Sequence, residues 1–358
     1  MIKTPQTIDP QLVYLDPFLL DRLRLNAGMS RKSLAGHKGL RLAVNTLLEA
    51  FKGAGLQPGN AKKLADYFER EVVDLLAPWD PRYKLPAEPP GPWSGSPEWE
   101  PAGYLDQGRA APNGIYYIVC RMRHRHTAAK QARGKYYHLS WLPPAKREGM
   151  RHQLSRHADV CTRVGIHPQI AINHTSTPVA NDEGWWVIDE WVGEKTLAKQ
   201  LEEEGPWPQE KLPRLLLEVA QGLYALHRAG IVFRELAPSR VLISDADGRA
   251  VLTDFELAKL LDGSPSVSGD WPEDPFRAPE VDGGTTTVRS DLYSLALLAA
   301  AAIGGREFDP GKTVELLGAA GMPKRLHRLM VDCSEPVHDR RPADLSVLLK
   351  ELARWAER

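Results

Sequence analysis

Cysteine is scarce in this sequence. Cys120, Cys161 and Cys333 are the three among 358 residues, odd in number and far apart. That pattern excludes a disulfide framework and the paired spacing of a zinc site, and it points to a reducing compartment, the cytoplasm. Long apolar runs are missing too. The longest, Leu295 to Ile303, has nine residues, where a membrane span needs about 20. The opening residues Met1-Ile2-Lys3-Thr4-Pro5 hold no apolar signal core. Net charge is also absent, 46 Lys and Arg balancing 46 Asp and Glu. This balance argues against a wholly basic nucleic-acid coat and against an acidic disordered tail. What remains, 42% hydrophobic and 26% charged residues, is the composition of a globular chain with a real core, long enough for about two domains.

The even balance conceals local asymmetry. From Leu20 to Leu64 nine basic residues face two acidic ones, a net +7. From Asp182 to Glu204 eight acidic residues face two basic ones. Between Pro78 and Pro101 eight prolines fall in 24 positions, which rules out a helix or a central strand there. Residues 79–101 therefore read as an extended spacer between a head, 1–78, and a body. Trp79, Trp93 and Trp99 within it imply that part of the spacer packs on a neighbour.

The head reads as five short helices. Asp16-Pro17 supplies an N-cap and a first-turn proline for the run Phe18 to Leu25, stopped near Gly28. Ser30 caps a second helix and Leu40 to Phe51 forms a third. Asn60 caps a fourth, and Val72 to Leu76 is the fifth; no strand pattern is evident. The segments Gly28-Met29-Ser30-Arg31-Lys32-Ser33-Leu34-Ala35 and Thr46-Leu47-Leu48-Glu49-Ala50-Phe51-Lys52-Gly53 resemble the phage-repressor type of helix-turn-helix, with a turn about two residues longer than usual. The resemblance implies duplex DNA as partner. Arg31 and Lys32 would then touch phosphate and Arg41, Asn45 and Thr46 would lie nearest base edges, with Lys52 at the end of the recognition helix. The charge of +7 agrees with that partner. A protein-docking helical bundle is the alternative.

The body opens with strand-like runs at Ile115–Cys120 and Tyr136–Trp141, joined by a basic stretch from Arg121 to Lys135 without an acid. His124 and His126 lie among these cations and make poor metal ligands. Trp185 to Val192 reads as a buried strand, Leu212 to Ala229 as an apolar helix, and Val241–Ser244 with Val251–Asp254 as a hairpin. Helices follow to Arg358. Strands first and helices after define an α+β fold.

Phe233-Arg234-Glu235-Leu236-Ala237-Pro238-Ser239-Arg240-Val241-Leu242-Ile243 resembles the catalytic loop of protein kinases. Asp254-Phe255-Glu256 stands at that family's D-F-G, and Ala278-Pro279-Glu280 at its A-P-E. Ser290 to Leu295, Arg340-Arg341-Pro342, His167-Pro168-Gln169-Ile170 and the hinge-like Ile188 to Gly193 complete the series. The resemblance implies a two-lobed kinase-like fold, with an N-lobe at 102–192 and a helical C-lobe at 193–358.

Carried over residue by residue, the family's chemistry is largely missing. The β3 lysine falls on Ser140, its helix-borne glutamate partner on Ala158, the base aspartate on Glu235 and the metal-binding asparagine on Arg240. Gln107 to Gly114 lacks the glycine-loop spacing. Asp254 alone keeps a nucleotide or metal ligand. The retained parts are structural: Glu280 with Arg341 as an ion pair, Asp291 holding the loop backbone, and Arg234 as scaffold. Arg240 and Asp254, opposite in sign where the family holds Mg²⁺, are expected to pair directly, with Glu235 and Glu256 competing for the arginine. The reading is a pseudokinase regulator or scaffold with a DNA-binding head and no cofactor, with ATP or Mg²⁺ binding without transfer as the alternative. Its body would bind a protein partner or a second copy, as in a prokaryotic or phage regulatory or defence system. The alternatives are an unorthodox Ser/Thr kinase using Glu235 and Asp254, or a protein scaffold without DNA binding.

Overall fold

The computed structural model describes all residues except 1–7, 18–19, 21–22, 25–26, 28, 36, 38, 78–79, 84–97, 111–115, 140–143, 180–183, 263–274 and 283. Its contacts divide the chain into two compact units. One is Met1–Arg121 with Lys135–Met150 and Pro178–Trp186, and the other is Met122–Gly134 with Arg151–Thr177 and Val187–Arg358.

In the head, α1 (Arg31–Ala35), α2 (Val44–Ala50) and α3 (Pro58–Tyr67) surround a core that includes Leu15, Leu34, Leu47, Phe51 and Leu64. Proline begins α3, where its missing N–H costs nothing. The helix expected from Leu40 starts only at Val44, because Arg41 adopts a left-handed φ of 46° and Ala43 is extended. The fifth element is a 3-10 turn, Val72–Leu75. Strand pairing does occur here, against the sequence reading: Val13 bridges Leu56 and Leu15 bridges Leu76, both antiparallel. Beyond the last turn, Asp80 turns back on the head. It accepts from the Tyr14 N–H at 2.8 Å and is clasped by Arg82.

The body begins at β1 (Trp99–Ala110), three residues before the boundary read from the prolines; Trp99 is buried in it. Then come β2 (Tyr116–His124), β3 (Thr127–Tyr137), α4 (Pro144–Val164), β4 (Asn173–Pro178) and β5 (Trp185–Glu190). The five strands form one sheet in the order β1-β2-β3-β5-β4. Most of the prolines of the spacer lie outside the described residues.

The remainder is mostly helical: α5 (Leu197–Glu204), α6 (Leu212–Arg228), β6 (Ile231–Val232), β7 (Val241–Ile243), β8 (Ala250–Leu252), β9 (Lys259–Leu260), α7 (Pro279–Asp282), α8 (Val288–Gly304), α9 (Thr313–Ala319), α10 (Lys324–Cys333) and α11 (Ser346–Ala356). β7 and β8 form a hairpin in the register Val241↔Leu252 and Ile243↔Ala250. Helix α6 buries Leu215, Leu216, Val219, Leu223 and Leu226 in the main core. Helix α8 is apolar nearly all round and buried, as a central helix must be. A reciprocal cap starts it: Thr287 Oγ1 accepts from the Arg289 N–H, and Ser290 Oγ accepts from the Thr287 N–H. Among the described residues no helix is long and apolar enough to cross a membrane. All three cysteines are buried as free thiols, and burial raises the pKa of Cys120 and Cys333 to about 12. Those two are core residues, not nucleophiles.

Candidate functional site

The loop after β6 is held by one carboxylate. Asp291, on the first turn of α8, accepts from the Phe233 N–H and the Arg234 N–H, both at 2.8 Å, and from His227 Nε2 at 2.8 Å. Three donors on one fully buried carboxylate fix the loop and hold Arg234 in a left-handed conformation, φ 71°. Burial lowers the pKa of the Arg234 guanidinium; Glu235 opposes that shift, while Arg277 adds to it.

A 3-10 turn, Pro238–Arg240, then leads into β7. It aims Arg240 inward. Nη1 donates to Asp254 Oδ2 at 2.9 Å and Nη2 lies 3.4 Å from Glu235 Oε2. All three side chains are at least nine-tenths buried. Asp254 follows β8 with φ 67°, a left-handed value that costs a non-glycine residue energy. The guanidinium therefore sits between two buried carboxylates and offsets one of their two negative charges; its bond to Asp254 has charge-assisted length, and its removal is costly. These residues do not fit Mg²⁺. A dication at Asp254 would have to displace the arginine or stand against its charge.

A second polar cluster lies on α4 and β5. His157 Nε2 is 2.9 Å from Asp189 Oδ1, and the Phe255 N–H donates to His157 Nδ1 at 3.1 Å. Asn173 Nδ2 donates to Asp189 Oδ1 at 2.8 Å. The helical register that places Ala158 half-buried puts His157, next to it, fully inside. The sequence singles out neither His157 nor Asn173, and places Asp189 only in a buried strand and the hinge-like run Ile188 to Gly193. A lone histidine in a charged helix carries no periodic signal, and Asn173 carries none either.

The brace of the helical part is Glu280 with Arg341. Two bonds of 2.7 and 3.0 Å join them, and Ser290 Oγ donates to Glu280 at 2.8 Å. Burial raises the Glu280 pKa, but the Arg341 and Ser290 hydrogen bonds outweigh it and hold the carboxyl below its ordinary value. The guanidinium of Arg341 also lies over the Tyr293 ring at 4.8 Å.

Ser140 lies outside the described residues, as do residues 111–115 of the loop that would cradle phosphates. On β3, Lys135 is buried with its ammonium 4.3 Å from the Tyr117 ring centre. In the head, Arg31 does not point away from the protein; its guanidinium lies over the Phe51 ring at 4.8 Å. Arg41 precedes α2 rather than lying on it, Asn45 is exposed and Thr46 half-buried in the first turn of α2, and Lys52 pairs with Glu49 at 2.6 Å. Lys32 lies on α1. Among the described residues no group of three or more His, Cys, Asp and Glu is arranged to hold a metal ion.

A sheet-rich part followed by a helical part, a loop pinned by a helix-borne aspartate, and an Asp-Phe turn facing that loop define the protein-kinase fold. The chain belongs to the protein kinase domain family, whose pattern matches residues 115–356. Among its relatives are serine/threonine-protein kinase C of Synechocystis sp. and serine/threonine-protein kinase PknL of Mycobacterium tuberculosis. The first is 26% identical over 187 residues, covering 49% of this chain and 35% of the relative. The second is 35% identical over 116 residues, covering 32% of this chain and 29% of the relative. The matches thus span about a third of those relatives' length. In fold, the chain is similar to the PknI kinase domain of Mycobacterium tuberculosis, crystallised as a double mutant. The TM-score is 0.54 at 18% identity, covering 73% of this chain and 96% of that one.

Proposed function

We propose that this kinase-family body works as a regulatory binding module rather than a phosphoryl-transfer enzyme. The observation that carries the reading is Arg240, whose guanidinium stands between Asp254 and Glu235 where phosphoryl transfer calls for a metal ion. Ala158 in place of the helix glutamate and Ser140 in place of the lysine point the same way, since a lone member of that pair would be an uncompensated charge. The partner of the body is a protein or a second copy of the chain. The head, with its +7 segment, is the targeting part, and duplex DNA is the partner its charge and helix pattern favour; a protein ligand for the head is the other reading.

Membership of a family of Ser/Thr kinases favours a second function for the body. In it Glu235 would take the substrate hydroxyl proton, and Asp254 would be the residue to hold a metal ion, which would require Arg240 to leave its place at 2.9 Å from Asp254. Incubation of the full chain with radiolabelled ATP, Mg²⁺ or Mn²⁺ and a generic protein substrate separates the two. The regulatory reading expects no incorporated label. Label that disappears in Asp254→Ala establishes the kinase reading instead.

A further inference from the structure

The cluster on α4 and β5 has no role in the reading above, and its histidine and aspartate are buried. His157 is 0% and Asp189 4% exposed. The imidazole stacks on the Phe255 ring, centroids 5.4 Å apart and planes 26° apart. Its two nitrogens have different partners. Nδ1 receives the Phe255 N–H, so in this arrangement it carries no proton; Nε2 carries the ring proton and donates it to Asp189. The other polar contacts of Asp189 are neutral: Asn173 Nδ2 at 2.8 Å on Oδ1 and Thr253 Oγ1 at 3.4 Å on Oδ2. Cys161 Sγ is 3.6 Å from Nε2 and donates to the Ala171 carbonyl at 3.5 Å. It shares the nitrogen already used by Asp189, which is not the geometry of an activated nucleophile.

One imidazole thus ties α4 to β5 through Asp189 and to the Asp254-Phe255-Glu256 turn through a backbone amide. Kinase resemblance placed the tie of this helix at position 158, which is alanine. Position 157 is one residue earlier and about 100° round the helix. A second ring proton would sit on Nδ1 and face the Phe255 N–H, donor against donor. Protonation and the bond to the turn are mutually exclusive.

We infer that His157 is a positioning residue, a neutral clasp that holds the Asp-Phe-Glu turn against α4 and β5 and that lets go of the turn when it takes up a proton. The surroundings set where this happens. Burial disfavours the imidazolium, while the Asp189 carboxylate, and after it Cys161, favour it; the net effect raises the pKa well above the ordinary histidine value. Among other charges nearby, Glu190 and His174 flank Asp189. Asp254 is engaged by Arg240. The turn is therefore held at alkaline pH and released on acidification, starting above the usual histidine range. The clasp stands whether or not the cleft transfers phosphate.

The test uses the full chain, with ¹⁵N spectra of the imidazole and amide-resolved hydrogen exchange at Phe255 from about pH 6 to about pH 10. Expected are one ring proton, on Nε2, with Phe255 protected at the alkaline end, then a second ring proton together with an about tenfold lower protection factor at Phe255, its exchange taken relative to the unstructured amide rate at each pH, the size of one lost hydrogen bond. His157→Gln keeps a donor for Asp189 but has no acceptor at the Nδ1 position; exchange at Phe255 becomes fast at every pH. His157→Asn puts an acceptor there and restores protection without pH dependence. Should neither variant fold, Asp189→Asn keeps an acceptor for Nε2 and removes the charge, and the pH of release moves down. Two ring protons with Phe255 still protected overturn the inference. So does a Phe255 exchange profile that His157→Gln, or in its place Asp189→Asn, leaves unchanged.

Discussion

Arg240 joins Asp254 and Glu235 in one buried cluster, and the arrangement has measurable consequences. Arg240→Leu leaves Asp254 and Glu235 buried without their cation and is expected to lower unfolding free energy by about 3–5 kcal/mol in urea titrations. Arg240→Asn leaves a polar amide near the carboxylates and costs less, about 1–3 kcal/mol. It also opens room for a dication, so added Mg²⁺ raises the melting temperature of Arg240→Asn and leaves that of the native chain unchanged. Glu280 gives a pH dependence with a definite sign. Its carboxyl is held below the ordinary value of 4.5 by Arg341 and Ser290. The stabilisation is complete above that ordinary value and disappears as pH falls through the depressed one. Stability of Glu280→Gln measured at neutral and at acid pH therefore converges on that of the native chain at the acid end.

At the scale of elements, ends and crossings decide more than propensity. Helix α8 is almost wholly apolar, and its start rests on the reciprocal Thr287 and Ser290 cap. Thr287→Ala is expected to cost about 1 kcal/mol in chemical denaturation. Gly193, just past β5, marks a close crossing: a methyl group there would stand 2.0 Å from the Ile243 carbonyl oxygen. That atom is backbone and cannot rotate away. Gly193→Ala is expected to shift the link between β5 and α5 and cost about 1–3 kcal/mol, the range of overpacked sites. A substitution tolerated without loss of melting temperature would show that the two segments separate easily.

At the scale of the whole molecule, the +7 segment of the head sets the test of its partner. Binding of the full chain to random duplex DNA is expected to weaken steeply with salt, and neutralising Lys32 and Lys52 together to reduce the slope of log K against log salt by about 2. No binding at about 50 mM salt would assign the head to a protein ligand. Arg31 is a poor choice for this test, because its contact with Phe51 mixes packing with charge.

The strands-then-helices order of the body, the loop after β6, the Asp-Phe turn, and the Glu280, Arg341 and Asp291 braces were legible in the chain, whereas β1, β4 and the bounds of α4 were not. The loop, the turn and the braces each fall in a short motif that resembles the protein-kinase pattern, and the resemblance implied the pairings, although Glu280 and Arg341 lie 61 residues apart and Asp291 lies 58 from Phe233. The head was less legible. Its short helices are marked by caps, but the left-handed backbone at Arg41 and the bridges from Val13 and Leu15 depend on packing that no local pattern records. The distances that join Arg240 to Asp254 and Glu235 required the folded chain, since the turn at Pro238–Arg240 and the strained φ of Asp254 are set by β7, β8 and α8 together. The His157 cluster was invisible beforehand. Its four polar side chains come from α4, β4, β5 and the end of β8, separated by up to 96 residues of sequence. Sequence alone determined which motifs and charges this protein has. Tertiary structure decided which of them meet, because burial makes each polar group find a partner wherever the fold has brought one.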